Sequence, residues 1–212
     1  MNVSIVTVTQ YKRFNLLKLL YKNIINQTYK NIIEWLIIEG SDNINDAQLN
    51  EKLINNFKLN TSIVINYIPY THNNNNNYGK LLNNGLKNVL GDIIVHMDDD
   101  DYYFPSRIQH CVDKLTNNNY INIVNCSNIY IYDIILDYTI KLNLKDCINI
   151  NSLAYTKTYI KNNNFEEIEG NNNIIKQINQ ESVNILNSDD TVIKIIHNEN
   201  NFMHFWNNTA VN

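Results

Sequence analysis

Four short apolar runs alternate with segments of helical periodicity over the first hundred residues, and that alternation leaves few folds open. Val3 to Val8, Ile32 to Ile38, Ser62 to Ile68 and Ile93 to Met97 have strand length and strand composition. Between them, Phe14 to Asn26 sets Phe14, Leu17, Leu20, Tyr21 and Ile24 at helical spacing. Asp46 to Phe57 carries a weaker helical pattern, and Gly79 to Leu90 suits a third helix. Strands separated by helices are the signature of a mostly parallel sheet covered by helices on both faces. The expected class is therefore α/β.

Beyond residue 104 the pattern loosens. Pro105 suits the first turn of a helix running to about Leu115. Tyr120 to Lys141 is rich in β-branched and aromatic residues, which predicts a smaller region of antiparallel or mixed strands. The spacing predicts a short helix over Tyr155 to Asn162, and strands over Val183 to Leu186 and Thr191 to His197. No repeat and no linker divides the chain, so residues 1–212 read as one domain.

Composition narrows the partners. The net charge is −4 and only two arginines are present, Arg13 and Arg107, so nothing supports a nucleic-acid partner. No apolar run reaches the roughly 18 residues of a membrane span. The chain moves straight into a strand-like pattern, with no basic segment and apolar signal core. Three cysteines (Cys111, Cys126, Cys147) without metal-ligand spacing fit free thiols in a reducing compartment, and a cytoplasmic location is expected. The excess of Asn, Ile, Tyr and Lys matches AT-rich codons, and the run Asn73 to Asn77 expresses the same bias.

The most informative residues are Asp98 to Asp101, four consecutive carboxylates directly after the fourth apolar run. In an open α/β sheet, ligands bind beyond the carboxyl ends of the strands, which is where this cluster must lie. Adjacent like charges repel, and a hard divalent ion bridging them to a diphosphate is a natural compensation. A solvated acidic turn is the competing reading. The apolar neighbours on both sides, Ile93 to Met97 and Tyr102 to Pro105, weigh against it.

With these segments the chain resembles a family 2 glycosyltransferase of the GT-A fold. Ser4 to Arg13 with Gln27-Thr28-Tyr29 and Glu34-Trp35, then Ile37 to Ser41, then Gly79 to Asn83 with Gly85 and Gly91 to Tyr103, carry the likeness. Ile196 to Asn200 adds a weaker match. The Asn-rich bias adds a likeness to small glycosyltransferases of large DNA viruses, which would place the chain in a host-cell cytoplasm.

The resemblance implies a nucleotide-sugar donor, here a UDP-sugar, a glycan or protein acceptor, and Mn²⁺ or Mg²⁺. It assigns residues 1–104 to the donor and 105–212 to the acceptor side. Thr9, Arg13, Glu39, Asn83, Asp98 and Asp99 are expected on the donor, and Asp98, Asp100 and His197 on the metal. Register within four identical aspartates stays open, and adjacent Asp101 is available to help.

Two departures stand out. Relatives carry Arg-Asn where this chain has Leu82-Asn83, with Lys80 as the nearest replacement charge. The carboxylate that takes the acceptor proton in an inverting transfer has no clean match; Glu169 fits best and Glu167 next. A degenerate nucleotide-sugar-binding module is the alternative function. A phosphoryl-transfer enzyme is a third, and the absence of a Gly-x-x-x-x-Gly-Lys-Ser/Thr loop argues against its commonest form. The aromatic stretch Tyr120 to Tyr138 serves an acceptor site, a homodimer face or a core strand equally well.

Overall fold

Val3–Thr9 forms β1, and parallel partners on both sides explain why it is buried almost throughout. The computed structural model describes residues 1–69, 78–117, 121–126, 128–143, 150–162, 165, 183–186 and 192–197. After β1 come α1 (Phe14–Ile25), β2 (Ile32–Glu39), α2 (Ile44–Asn55), β3 (Val64–Ile68), α3 (Tyr78–Leu86) and β4 (Ile93–His96). Then follow β5 (Tyr102–Tyr103), α4 (Arg107–Thr116), β6 (Ile123–Cys126), β7 (Asn128–Asp133) and β8 (Tyr138–Asn143). β9 (Ala154–Thr156), α5 (Lys157–Asn162), β10 (Val183–Leu186) and β11 (Val192–Ile196) complete the order.

Seven strands make the main sheet in the order β10-β6-β9-β4-β1-β2-β3. Only β9 runs against its neighbours, so the sheet is mostly parallel as expected. Helices cover both faces. Phe14, Leu17, Leu20 and Ile24 of α1 and Ile108, Cys111, Val112 and Leu115 of α4 fill one core, with Ile54 of α2. Leu82 and Leu86 of α3 fill the other against Val6, Leu36, Ile38 and Ile94. Four further strands form a second sheet, β5-β11-β7-β8. It is mixed, since β11 is parallel to β7 and antiparallel to β5.

The chain runs outward from β1 through β2 and β3, then crosses back to place β4 on the other side of β1. That reversal opens a crevice at the carboxyl ends of β1 and β4. Two ties fix the crevice wall. Thr7 Oγ1 donates to Met97 O at 2.8 Å and accepts from Trp35 Nε1 at 3.0 Å. Gln27 clamps the chain after the aspartates, donating to Phe104 O (2.9 Å) and accepting from Ile108 N (3.1 Å).

At the opposite end of the sheet a buried carboxylate does the fastening. Glu34 is 0% exposed and accepts from Ser4 Oγ (2.5 Å), Asn66 Nδ2 (2.5 Å) and Leu90 N (2.9 Å). Gly91 follows, donating to Ser4 Oγ at 2.8 Å, and a Cβ there would lie 2.5 Å from Ser4 N. Only glycine lets the chain pass this close to β1.

This fastening corrects the expected helix over Gly79 to Leu90. α3 stops at Leu86, because the chain must turn to deliver Leu90 N to Glu34. A second correction concerns Tyr155, expected in a helix. Ala154–Thr156 is a strand between β4 and β6, with Tyr155 fully buried, and the helix begins at Lys157. The expected helix at Pro105 begins at Arg107. Among the described residues no helix is long and apolar enough to cross a membrane.

Candidate active site at the ends of β1 and β4

Four segments far apart in the chain meet in the crevice. Thr9 ends β1, and its Oγ1 donates to Asp99 Oδ2 at 2.6 Å. The expected loop after it holds a short 3-10 turn, Tyr11–Arg13, which brings Arg13 round to the aspartates. Arg13 Nη2 lies 2.6 Å from Asp99 Oδ1 and 2.5 Å from Asp100 Oδ2. From the second sheet, Ile195 N donates to Asp101 Oδ1 at 3.1 Å, and His197 Nε2 stands 3.5 Å from Asp100 Oδ2. Asn151 Nδ2 donates to Asp101 Oδ2, and Asp98 N donates to Tyr103 Oη at 2.6 Å.

The four aspartates face different partners. Asp98, Asp100 and Asp101 each turn one carboxylate oxygen towards a common point, all within 4.8 Å of one another. Asp99 faces Thr9 and Arg13 instead. Asp101, offered by the sequence only as a helper to Asp98, Asp100 and His197, lies in the convergent group.

The electrostatics show the strain of holding this charge. Burial, with Asp101 and Asp100 nearby, pushes Asp98 up to about 8. Burial pushes Asp99 up to about 7 against the pull of Arg13, and Asp101 up to about 6 against the pull of Lys194. Asp100 moves the other way, to about 2: burial opposes its charge, but His197, Arg13 and Lys194 outweigh it. Arg13 is raised in turn, since Asp99 and Asp100 overcome the cost of burying it.

These shifts fix the sign of a pH effect. A carboxyl with a raised folded pKa keeps its proton where the unfolded chain has lost it, so its contribution to stability falls as pH rises towards that pKa. His96, buried and lowered to about 3 from 6.5, acts oppositely, but its effect ends near pH 6.5. Between pH 6.5 and 8, Asp98 and Asp99 therefore dominate. The melting temperature in EDTA is expected to fall across that window, and Mn²⁺ is expected to protect more at pH 8 than at pH 6.5. A flat profile in both buffers would show that the cluster carries no uncompensated charge.

The other expected residues are placed as follows. Glu39 closes β2 and is 0% exposed. It accepts from Ser41 N (2.7 Å), Asn50 Nδ2 (2.7 Å) and Tyr67 Oη (2.8 Å), the position of a strut beneath the crevice. Asn83 donates from Nδ2 to Phe165 O (2.7 Å) and accepts at Oδ1 from Phe165 N (2.9 Å), clamping that segment's backbone. Leu82 lies in the core and Lys80 is exposed on α3. Glu169 and Glu167 lie outside the described residues.

Several contributors carried no sequence signal. Lys194 is one lysine in an apolar run; Asn151 sits in an Asn-rich stretch. Tyr78 opens α3, half-buried beside the cluster, and its phenol is held well above its ordinary range, by desolvation first and then by the nearby charges of Asp98, Asp99 and Asp100.

The residues fit a hard divalent ion: three convergent carboxylates are oxygen donors of the kind Mg²⁺ and Mn²⁺ take, and their charge is otherwise poorly compensated. Arg13 Nε, buried and without a hydrogen-bond partner among the described residues, adds a donor suited to an anionic oxygen.

Residues 4–178 match the family model of glycosyl transferase family 2. The chain belongs to that family. An uncharacterized glycosyltransferase of Rickettsia bellii (strain RML369-C) is 29% identical over 125 residues, covering 56% of this chain and 16% of its own length. One from Rickettsia conorii is 30% identical over 116 residues, covering 53% and 17%. The chain thus spans under a fifth of these relatives. They are bacterial, and the likeness to viral glycosyltransferases gains no support from them.

Among solved structures, the mannosyltransferase PcManGT from Pyrobaculum calidifontis in complex with GDP-Man and Mn²⁺ has a TM-score of 0.70 at 12% identity, covering 97% of this chain and 59% of its own. S. aureus TarS 1-349 in complex with UDP-GlcNAc has a TM-score of 0.67 at 13% identity, covering 96% and 61%. The fold is GT-A.

Proposed function

We propose that this chain is a metal-dependent glycosyltransferase domain that moves a sugar from a UDP-sugar to a hydroxyl of a glycan or protein acceptor, with inversion. The observation that carries this reading is the convergence of Asp98, Asp100 and Asp101 beside Arg13, at the switch point of the sheet. In this reading residues 1–212 are one domain, with 1–104 on the donor side. The main sheet draws strands from both halves, which supports a single unit. Cys111, which is in no disulfide among the described residues, fits a cytoplasmic setting.

Asp98, Asp100 and Asp101 would hold Mn²⁺ or Mg²⁺, with His197 beside them as a further ligand. The ion supplies neutralising charge to the departing nucleoside diphosphate. Arg13 offers its Nε to a donor oxygen while its Nη2 stays on Asp99 and Asp100, so the donor is oriented against a fixed wall. Thr9 keeps Asp99 turned to Arg13. Glu39 holds Ser41 and Asn50 in place around the base and ribose. Glu169 would take the proton from the acceptor hydroxyl as that oxygen attacks the anomeric carbon.

A binding module without transfer is the second reading, favoured by Leu82 in the core and by Asn83 spent on Phe165. A thermal-shift screen of UDP-, GDP- and CMP-sugars with Mn²⁺ and with EDTA, followed by turnover, separates the two. A donor at a hundredfold excess over its dissociation constant stabilises by about 2.7 kcal/mol. Metal-dependent stabilisation by one nucleotide class with turnover is the expected result. Stabilisation without turnover selects the binding module, and no response to any donor overturns the donor site.

A further inference from the structure

We propose that the hairpin tip Ile134-Ile135-Leu136 docks on a lipid bilayer and seats the rim of the crevice at its surface. The tip joins β7 to β8, and its side chains stand open to water. Ile134 and Ile135 are each 50% exposed, Leu136 is 66% exposed and neighbouring Tyr138 41%. Hairpin turns ordinarily hold Gly, Asn, Asp or Ser, and three exposed apolar residues in a row mark a surface made for contact.

The turn's own hydrogen bonds favour lipid as the occupant. Hydrocarbon holds no water, so backbone groups that enter it need partners within the protein. Here Ile134 N donates to Ile196 O (3.2 Å), and Ile135 N and Leu136 N donate to Asp133 Oδ1 (2.8 and 3.0 Å). Asp133 is itself buried, and Asp137 accepts from Tyr132 Oη at 2.9 Å. Both acids beside the tip are thus turned to the hairpin's own donors.

The strands behind the tip continue the pattern. Tyr138 pairs with Asp133, Tyr132 with Thr139, and Lys141 with Tyr130. Lys141 Nζ lies 5.1 Å from the centre of the Tyr130 ring. Its rung is three behind that of Tyr138, roughly 10 Å along the strand. Apolar tip, tyrosines and then a cation follow the order of acyl chains, interface and anionic headgroups. Size weighs against a second copy of the chain. At about half exposure and roughly 200 Å² for each large side chain, Ile134, Ile135, Leu136 and Tyr138 offer on the order of 400 Å². A stable protein interface takes about 800 Å² from each partner, whereas lipid binding simply scales with the apolar area buried.

β7 and β11 run parallel, so the tip leaves at the same end as His197, which follows β11 and stands 3.5 Å from Asp100. A bilayer under the tip therefore lies beside the crevice. The docking does not depend on what the crevice binds.

The test is flotation of the full chain with vesicles of phosphatidylcholine alone, and of phosphatidylcholine mixed equally with phosphatidylglycerol. The wild type is expected to float with the mixed vesicles. Ile135→Ser combined with Leu136→Ser is expected to weaken that binding on the order of tenfold, with the melting temperature unchanged. Lys141→Gln is expected to weaken it on the mixed vesicles alone. Leu136→Trp carries the test should the double variant not melt cooperatively: its emission is expected to shift to the blue when mixed vesicles are added. A wild type that floats with neither vesicle overturns the proposal, and so does a double variant that floats as well as the wild type. A dimer in sedimentation velocity that the double variant abolishes, without flotation, overturns it in favour of a contact between copies.

Discussion

Asp100→Ala is expected to abolish sugar transfer while the protein still melts in one cooperative step. Asp100 is the point where three arms of the site meet: Arg13 Nη2 at 2.5 Å, His197 Nε2 at 3.5 Å, and the shared focus with Asp98 and Asp101. It is also the one aspartate of the four held firmly ionised, so it is the carboxylate readiest to ligate at neutral pH. Removing one preorganised electrostatic group from a reaction centre costs about 10²- to 10³-fold in rate. The fold should tolerate the change, because Asp100 is only partly buried and Arg13 keeps Asp99 as a partner when it is gone. Steady-state turnover and a calorimetric melt on the same preparation decide it. Turnover near wild type would remove the metal assignment.

Glu34→Ala should produce the largest loss of stability, at a place remote from any chemistry. Three donors converge on this carboxylate, from β1, from β3 and from the turn before β4. Cutting the side chain back leaves Ser4, Asn66 and Leu90 N without their acceptor in a buried site. Stranding groups of a buried network costs about 3 kcal/mol or more. For a chain of this size that is a fall in melting temperature of about 6 to 12 °C. Glu34→Gln keeps an acceptor and should lose less. Equal losses in the two variants would mean that volume, and not the acceptor, is what the site requires.

The parallel half was legible because its signals are local. Strand-length apolar runs and helical stripes follow from burial on two faces or on one, so the elements from β1 to β4 could be placed within a few residues. The cluster's position followed too, since strand ends in such sheets are where ligands sit. The division of labour within it was not legible. Four identical side chains differ only in what faces them, and their partners come from distant segments: Thr9 from the start, Asn151 from the turn before β9 and Ile195 from β11. Tyr155 was misplaced for a related reason. Helical spacing in Tyr155 to Asn162 is real, but burial between β4 and β6 claims Tyr155 for a strand. Gln27 shows the limit from the other side. Its family resemblance was visible, yet its task, holding Phe104 and Ile108, only the tertiary structure reveals.

The seat of β11 has a consequence for how the molecule is made. Ile195 reaches Asp101 across 94 residues of chain, and β11 sits between β5 and β7. During synthesis the aspartates leave the ribosome long before the strand that encloses them. Until β11 arrives, Asp101 lacks its backbone donor and the cluster lacks both Lys194 and His197. A growing chain therefore carries a half-dressed acidic cleft open to any cation in its surroundings. The last of the described strands in the chain is the one that closes over it.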